Sequence, residues 1–214
     1  MKLIIGNQNY STWSMRPWVW IHFHEIPVTV EKITLFSEQA KSVLGGHFSD
    51  GKVPLLIDDG LEIWDTLSML EYLNEKFPHA RGWPQDSKAR AVARSVSAEM
   101  HSSFANLRNA LPMNCRKKFP NYKLEPEVRR DINRIKAIWH RCRTEYGTDG
   151  EWLFGDYCIA DAMFAPVALR FEGYDVSLSG TEKDYVQRVL EHADMIKWIN
   201  AGKDEKEVIE MGEV

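Results

Sequence analysis

The chain has 214 residues, 44% of them hydrophobic and 27% charged, with a formal net charge of −4. That length holds one large domain or two small ones with a real core, and the composition excludes disordered, collagen-like and low-complexity chains. A weakly acidic balance also argues against a general nucleic-acid binder.

Three cysteines, Cys115, Cys142 and Cys158, stand far apart with no CxxC pair. A sparse odd set predicts neither a disulfide framework nor a zinc site, and points to a reducing compartment. The apolar run Leu3–Ile5 is too short for a signal peptide, and no stretch approaches the roughly 20 apolar residues of a membrane span. The expectation is a cytoplasmic protein with no membrane or nucleic-acid partner.

In chain order, Lys2–Ile5 reads as a short strand and the aromatic stretch Met15–His24 as a helix. Val28–Leu35 is rich in β-branched residues and reads as a second strand, with a weak helical signal at Ser37–Leu44. Lys52–Asp58 and Leu61–Trp64 read as strands joined by the hairpin dipeptide Asp59-Gly60. Leu67, Leu70, Leu73 and Phe77 then form one helical stripe that stops at Pro78. This β-α-β-α-β-β-α order predicts an α/β unit over residues 1–80.

Gly82-Trp83-Pro84 marks a connector, residues 81–86, and residues 87–214 read as all-helical. Ala89, Val92, Val96, Met100, Ser103, Leu107 and Leu111 step by 3 and 4 and predict one long helix. Val128, Ile132, Ile135, Trp139, Cys142 and Tyr146 predict another, with Pro126 in its first turn and Gly147 where a C-cap glycine belongs. Further helices are expected over Ile159–Glu172, Thr181–Ala193 and Met195–Asn200. The charge is uneven: −3 over residues 1–85, +8 over 86–146 and −9 over 147–214. The basic block is either a solvated helical face or a surface that attracts anions.

Three short motifs carry candidate chemistry. The first is Tyr10-Ser11-Thr12-Trp13-Ser14-Met15-Arg16-Pro17, which sets hydroxyls at a helix N-terminus. There they either cap the helix or help hold an anion. In the second, Lys52-Val53-Pro54, the proline cannot donate to a sheet ladder, and Val53-Pro54 is a candidate cis peptide. The third, Trp64-Asp65-Thr66, lies where the fourth strand enters a helix; Asp65 either caps it or shares its free N–H groups with a ligand carboxylate.

In order, spacing and placement these motifs resemble the glutathione-binding half of the cytosolic glutathione S-transferase family. Ala160-Asp161 with Pro166 five residues on resembles that family's buried capping segment and kinked helix, although Cys158 stands where it has Ser or Thr. Trp198 also fits. The resemblance implies a thioredoxin-like first domain, an all-helical second domain, a homodimer and glutathione as co-substrate, with no metal. It implies Ser11 as the residue that activates the thiol, with Ser14 as the cap and Thr12 as a substitute donor. It further implies Ser14, Lys52, Val53, Pro54, Asp65 and Thr66 around glutathione. A small electrophile would then meet Trp13, His101, Met113 and Arg116, with Met100, Phe104 and Leu111 near by.

The serine loop is most similar to zeta-like and related bacterial members, but Trp13 occupies the place of the zeta cysteine. The implied activity is therefore transfer of glutathione to an electrophile. The alternatives are isomerisation of the maleylacetoacetate type or a non-catalytic binding module. Thioredoxin-type disulfide chemistry is disfavoured, because Ser11 and Ser14 stand where it needs cysteine.

Overall fold

The computed structural model describes residues 1–214. Four strands form one mixed sheet: β1 (Lys2–Ile5), β2 (Thr29–Lys32), β3 (Leu55–Asp58) and β4 (Leu61–Ile63). The order is β2-β1-β3-β4, with β1 parallel to β2 and antiparallel to β3. Helix α1 (Thr12–Phe23) makes the crossover that a parallel β1–β2 pair needs, and α2 (Glu38–Leu44) follows β2. The β3–β4 turn has positive φ at both Asp59 and Gly60, 48° and 85°, as a two-residue hairpin turn requires. Helix α3 (Thr66–Lys76) closes this thioredoxin-like unit.

The rest is helical: α4 (Ser87–Ser102), α5 (Ala105–Ala110), α6 (Pro126–Glu145), α7 (Ile159–Gly173), α8 (Gly180–Glu191) and α9 (Ala193–Asp204). This is the glutathione S-transferase fold. Helix α7 is its axis, buried over nearly its whole length and packed on α1, α4 and α8. Trp139 of α6 meets Phe164 and Phe171 of α7 and Tyr185 of α8 at ring distances of 5.0 to 5.9 Å. Trp198 of α9 is fully buried and stands edge-on to Trp18 of α1 at 5.2 Å. One apolar core therefore runs through both units. A small second cluster, Ile4, Ile33, Ala40, Leu44 and Leu55, lies under α2 on the other sheet face.

Three local expectations are corrected. The single helix through Leu111 breaks at Ser103–Phe104, where Phe104 takes φ 63° and its ring stays buried. The exposed carbonyls at the end of α4 then accept from Arg108 of α5: Ser103 O at 3.0 Å, and Met100 O beside it. Helix α1 begins three residues before Met15, at Thr12. Gly147 follows α6 without positive φ; a Cβ there would meet the carbonyls of Leu153 and Trp152 at 2.7 and 2.9 Å. Close backbone approach, not a left-handed cap, requires that glycine.

Cys158 is the N-cap of α7, and Asp161 is its third helical residue. The Asp161 carboxylate accepts from Cys158 N at 2.9 Å and from Leu153 N at 3.0 Å. Burial pushes this carboxyl up to about 6, against the pull of those two N–H groups. Cys158→Ser should leave stability unchanged or raise it, because a hydroxyl is the better acceptor at an N-cap; thermal melts check this.

Candidate active site

The loop from β1 to α1 carries the first motif. Ser11 is the N-cap of α1, with extended backbone, and its Oγ accepts from Ser14 N at 3.4 Å. This corrects the expectation that Ser14 is the cap. Ser14 lies within the first turn, fully buried, and its Oγ accepts from Gly6 N at 3.1 Å. The two hydroxyl oxygens are 2.8 Å apart. Ser11 is on the wall of an open cleft, whereas Ser14 lines neither that cleft nor its neighbour. Capping does not exclude Ser11 from acting on a ligand, because a hydroxyl that accepts a bond keeps its own proton to donate.

Two clefts meet at Trp13 and Val53. The first, about 410 Å³, is lined by Trp13, Lys52, Val53, Trp64, Asp65, Thr66 and His101. Val53-Pro54 is cis. Asp65 caps α3 by accepting from Ser68 N at 2.9 Å, and its other oxygen is 3.1 Å from His101 Nε2 of α4. Thr66 is buried, and its hydroxyl donates to the Trp13 carbonyl at 3.5 Å. The motifs of β3 and α3 thus converge on the start of α1, with polar groups around Val53, which precedes β3 and pairs with no strand. Unpaired extended backbone of this kind suits an extended peptide.

The second cleft, about 300 Å³, is mainly apolar, with Tyr10, Ser11, Trp13, Val53, Pro112 and Met113 on its walls. Of the residues expected around an electrophile, Trp13 and Met113 line it, and His101 lines the neighbouring cleft edge-on to Trp13 at 5.3 Å. Met100, Phe104 and Leu111 are core residues. Arg116 is elsewhere engaged: it donates to Glu205 O at 2.7 Å, Glu207 O at 2.9 Å and Tyr10 Oη at 2.5 Å.

Those bonds fasten a C-terminal strap that sequence reasoning missed. Ile209, Met211 and Gly212 form one wall of the apolar cleft. Gly212 is needed there, since a Cβ would stand 2.4 Å from the Tyr10 ring. Glu213 binds Tyr10 Oη and Lys117, and Asn114 Nδ2 donates to Gly212 O at 2.9 Å. Glu205, buried, accepts from Gln8 N at 2.8 Å, Asn9 N at 3.1 Å and Lys32 Nζ at 3.0 Å. The strap therefore holds the loop that presents Ser11. Glu205→Ala should cost about 2–4 kcal/mol, because it leaves two backbone N–H groups without their acceptor. Urea unfolding of the variant beside Glu205→Gln checks this, and the glutamine should recover part of the loss.

Residues 10–76 match the family model "Glutathione S-transferase, N-terminal domain". A maleylacetoacetate isomerase of Rattus norvegicus is 31% identical over 133 residues, 60% of this chain and 57% of that protein. A probable maleylacetoacetate isomerase of Caenorhabditis elegans is 33% identical over 104 residues, 47% of this chain and 49% of that protein. The chain thus spans about half the length of these curated relatives. Among solved structures, a Burkholderia glutathione transferase homolog with bound glutathione superposes with TM-score 0.71 at 20% identity, over 95% of this chain and 98% of that one. A diazinon-metabolizing glutathione S-transferase of Bombyx mori gives TM-score 0.72 at 18% identity, over 94% and 97%. Residues 10–76 therefore carry the glutathione S-transferase N-terminal domain, and the chain as a whole has the fold of these transferases. No helix is long and apolar enough to cross a membrane.

Proposed function

We propose that this protein is a glutathione-dependent enzyme in which Ser11 stabilises the thiolate, and that its reaction is cis–trans isomerisation of an unsaturated diketo acid of the maleylacetoacetate type. The observation that carries the reading is the meeting of Ser11, the unpaired Val53 backbone and the Asp65-Thr66 helix start at two joined clefts. Glutathione lies along the cleft that holds Asp65 and Thr66 in this reading. Its cysteinyl backbone pairs with Val53, its γ-glutamyl carboxylate takes the free N–H groups at the start of α3, and Lys52 faces its glycyl carboxylate.

A free thiol has a pKa near roughly 8.5, so little is thiolate at neutral pH. Without ligand, Ser11 Oγ donates to Ser14 Oγ at 2.8 Å; with glutathione bound, Ser11 turns that proton to the sulfur. The first-turn N–H groups of α1 add partial positive charge. In isomerisation the thiolate adds to the activated C=C bond and its electron pair passes to the carbonyl as an enolate. The resulting single bond rotates. The enolate then re-forms the C=C bond and expels glutathione unchanged. The isomerase names of the relatives support this reaction. Trp13 in place of the zeta cysteine favours a second reading, transfer of glutathione to an aromatic electrophile stacked on that indole.

The test is retention on immobilised glutathione, followed by a panel of a cis-alkenyl diketo acid, an activated aryl halide and a peroxide. Turnover of the diketo acid with no net loss of glutathione is expected. Conjugation of the aryl halide alone would favour the second reading. Failure to bind glutathione would leave only a binding module for other partners.

A homodimer is part of the proposal. Phe48 and Trp64 are 77% and 42% exposed, with rings 5.0 Å apart on the surface of the first unit. A pair of exposed aromatics is a natural contact for a second copy. Light scattering should give twice the monomer mass of 24.8 kDa at micromolar concentration.

A further inference from the structure

One side chain of the helical domain reaches the cleft that holds Asp65 and Thr66. Of the 7 residues on its wall, all but one come from residues 13–66; the exception is His101, in the last turn of α4. Its Nε2 stands 3.1 Å from an Asp65 oxygen, so that nitrogen carries the ring hydrogen. Nδ1 is buried and meets no partner, which makes Asp65 the ring's one polar contact. The ring is edge-on to Trp13 at 5.3 Å, and the side chain is 31% exposed. Its backbone is held in place, because Arg108 of α5 donates to the carbonyls of Met100, His101 and Ser103 at the end of α4.

Few charged groups surround this ring. Lys52 is on the same cleft wall and pairs with Asp50 at 3.4 Å. Arg108 lies over the Trp13 ring, with its guanidinium carbon 4.8 Å from the centroid. Asp65 is the one carboxylate on the wall. Its Oδ1 accepts from Ser68 N, and its Oδ2 faces His101. With a γ-glutamyl carboxylate on the free N–H groups of α3, the ammonium one carbon away has Asp65 as its anionic partner. His101 and the ligand's ammonium therefore share one carboxylate. Neutral His101 donates a single hydrogen bond to Oδ2 and leaves the negative charge for the ammonium. Imidazolium pairs with Asp65, offsets that charge and repels the ammonium beside it.

We propose that His101 is a positioning residue for glutathione: neutral, it holds Asp65 toward the ligand's α-ammonium, and protonated, it takes that carboxylate for itself. The inference rests on the reading of this cleft as the glutathione site. It gives the helical domain a say in recognition of the γ-glutamyl end, by way of Asp65, and it makes affinity fall as pH falls.

The test is calorimetric titration of S-methylglutathione, which has no thiol to titrate, into wild type, His101→Gln and His101→Ala from about pH 8 to about pH 5, where histidine ordinarily changes charge. The wild type should bind about ten-fold more weakly at the acid end, the worth of one charge-assisted hydrogen bond. His101→Gln, a neutral donor throughout, should lose the pH dependence. His101→Ala should lose it too and bind more weakly than His101→Gln. An analogue with glutaryl in place of γ-glutamyl lacks the ammonium, and its binding to the wild type should not weaken with acid. That arm needs no variant, so it reads the proposal whatever the substitutions do to folding. A contact that merely ties α4 to α3 would give both ligands the same profile. Wild-type affinity that is equal at both ends of the range, acid weakening that survives in His101→Gln, or the same weakening for the ammonium-free analogue overturns the role of His101 and leaves the glutathione site standing. No binding of S-methylglutathione to the wild type at any pH overturns both.

Discussion

Replacing Ser11 by alanine should cut turnover by ten-fold to a hundred-fold while leaving the protein folded. The hydroxyl is a side-chain donor on the wall of the apolar cleft, two residues before the shared Trp13, and loss of one hydrogen bond to a buried thiolate is worth about 1.4–2.7 kcal/mol, one to two pKa units. Its cap bond to Ser14 N is long, 3.4 Å, so the stability cost should sit near the low end of the usual range, about 0.5 kcal/mol. Ser14→Ala should behave in the opposite way. It removes the acceptor of the buried Gly6 N–H, at a cost of about 1–3 kcal/mol, and disturbs turnover only through the orientation of Ser11. Steady-state kinetics and thermal melts of the two variants separate these effects. Equal turnover in Ser11→Ala and wild type would transfer the role to the first-turn N–H groups.

Asp161→Ala should be the most destabilising single change in the helical domain, at about 3–5 kcal/mol. It deprives Leu153 N and Cys158 N of their acceptor inside a helix that touches both units. The active-site clefts do not include Asp161, so kinetics of whatever fraction remains folded should be unchanged. The same carboxyl gives stability a pH dependence of defined sign. Its folded value, near 6, lies above the ordinary 3.8, so the native state holds the proton more tightly than the unfolded chain. The stabilisation from that proton is complete below the lower value and is lost as pH rises through the upper one. The stability difference between wild type and Asp161→Asn should therefore shrink by about 2–3 kcal/mol from pH 4 to pH 6. Urea unfolding of both proteins across that window checks the slope, and a difference that grows with pH would contradict it.

The elements that announce themselves locally are legible in the sequence. The stripes of α3 and α6 repeat at helical spacing, Asp59-Gly60 specifies its hairpin, and Ser11, Val53 and Asp65 each sit at an element boundary. What escaped is what depends on long-range contact or on weak periodicity. Helix α1 is buried nearly all round, so its aromatic run carries no stripe to mark where it starts. The break at Phe104 shows no glycine or proline, and the contacts that accompany it, Arg108 on the α4 carbonyls and the buried Phe104 ring, are long-range features of the fold. Arg116 looks from its basic neighbours like a lure for anions, yet carbonyls of the strap, some 90 positions away, occupy it. The strap itself has no motif: Ile209, Met211 and Gly212 matter only because Glu205 and Glu213 tie them to the opposite end of the chain. Arg16 of α1 and Arg170 of α7 are likewise ordinary in sequence and unusual only in being buried without an acidic partner.

The most direct measurement is the ultraviolet absorbance of the bound thiolate, titrated against pH with glutathione saturating the wild type and Ser11→Ala. The wild type should show a thiolate pKa at least one unit below the free value of roughly 8.5, and Ser11→Ala should return it toward that value. A wild-type pKa equal to that of free glutathione, or the same lowered pKa in both proteins, would contradict the account.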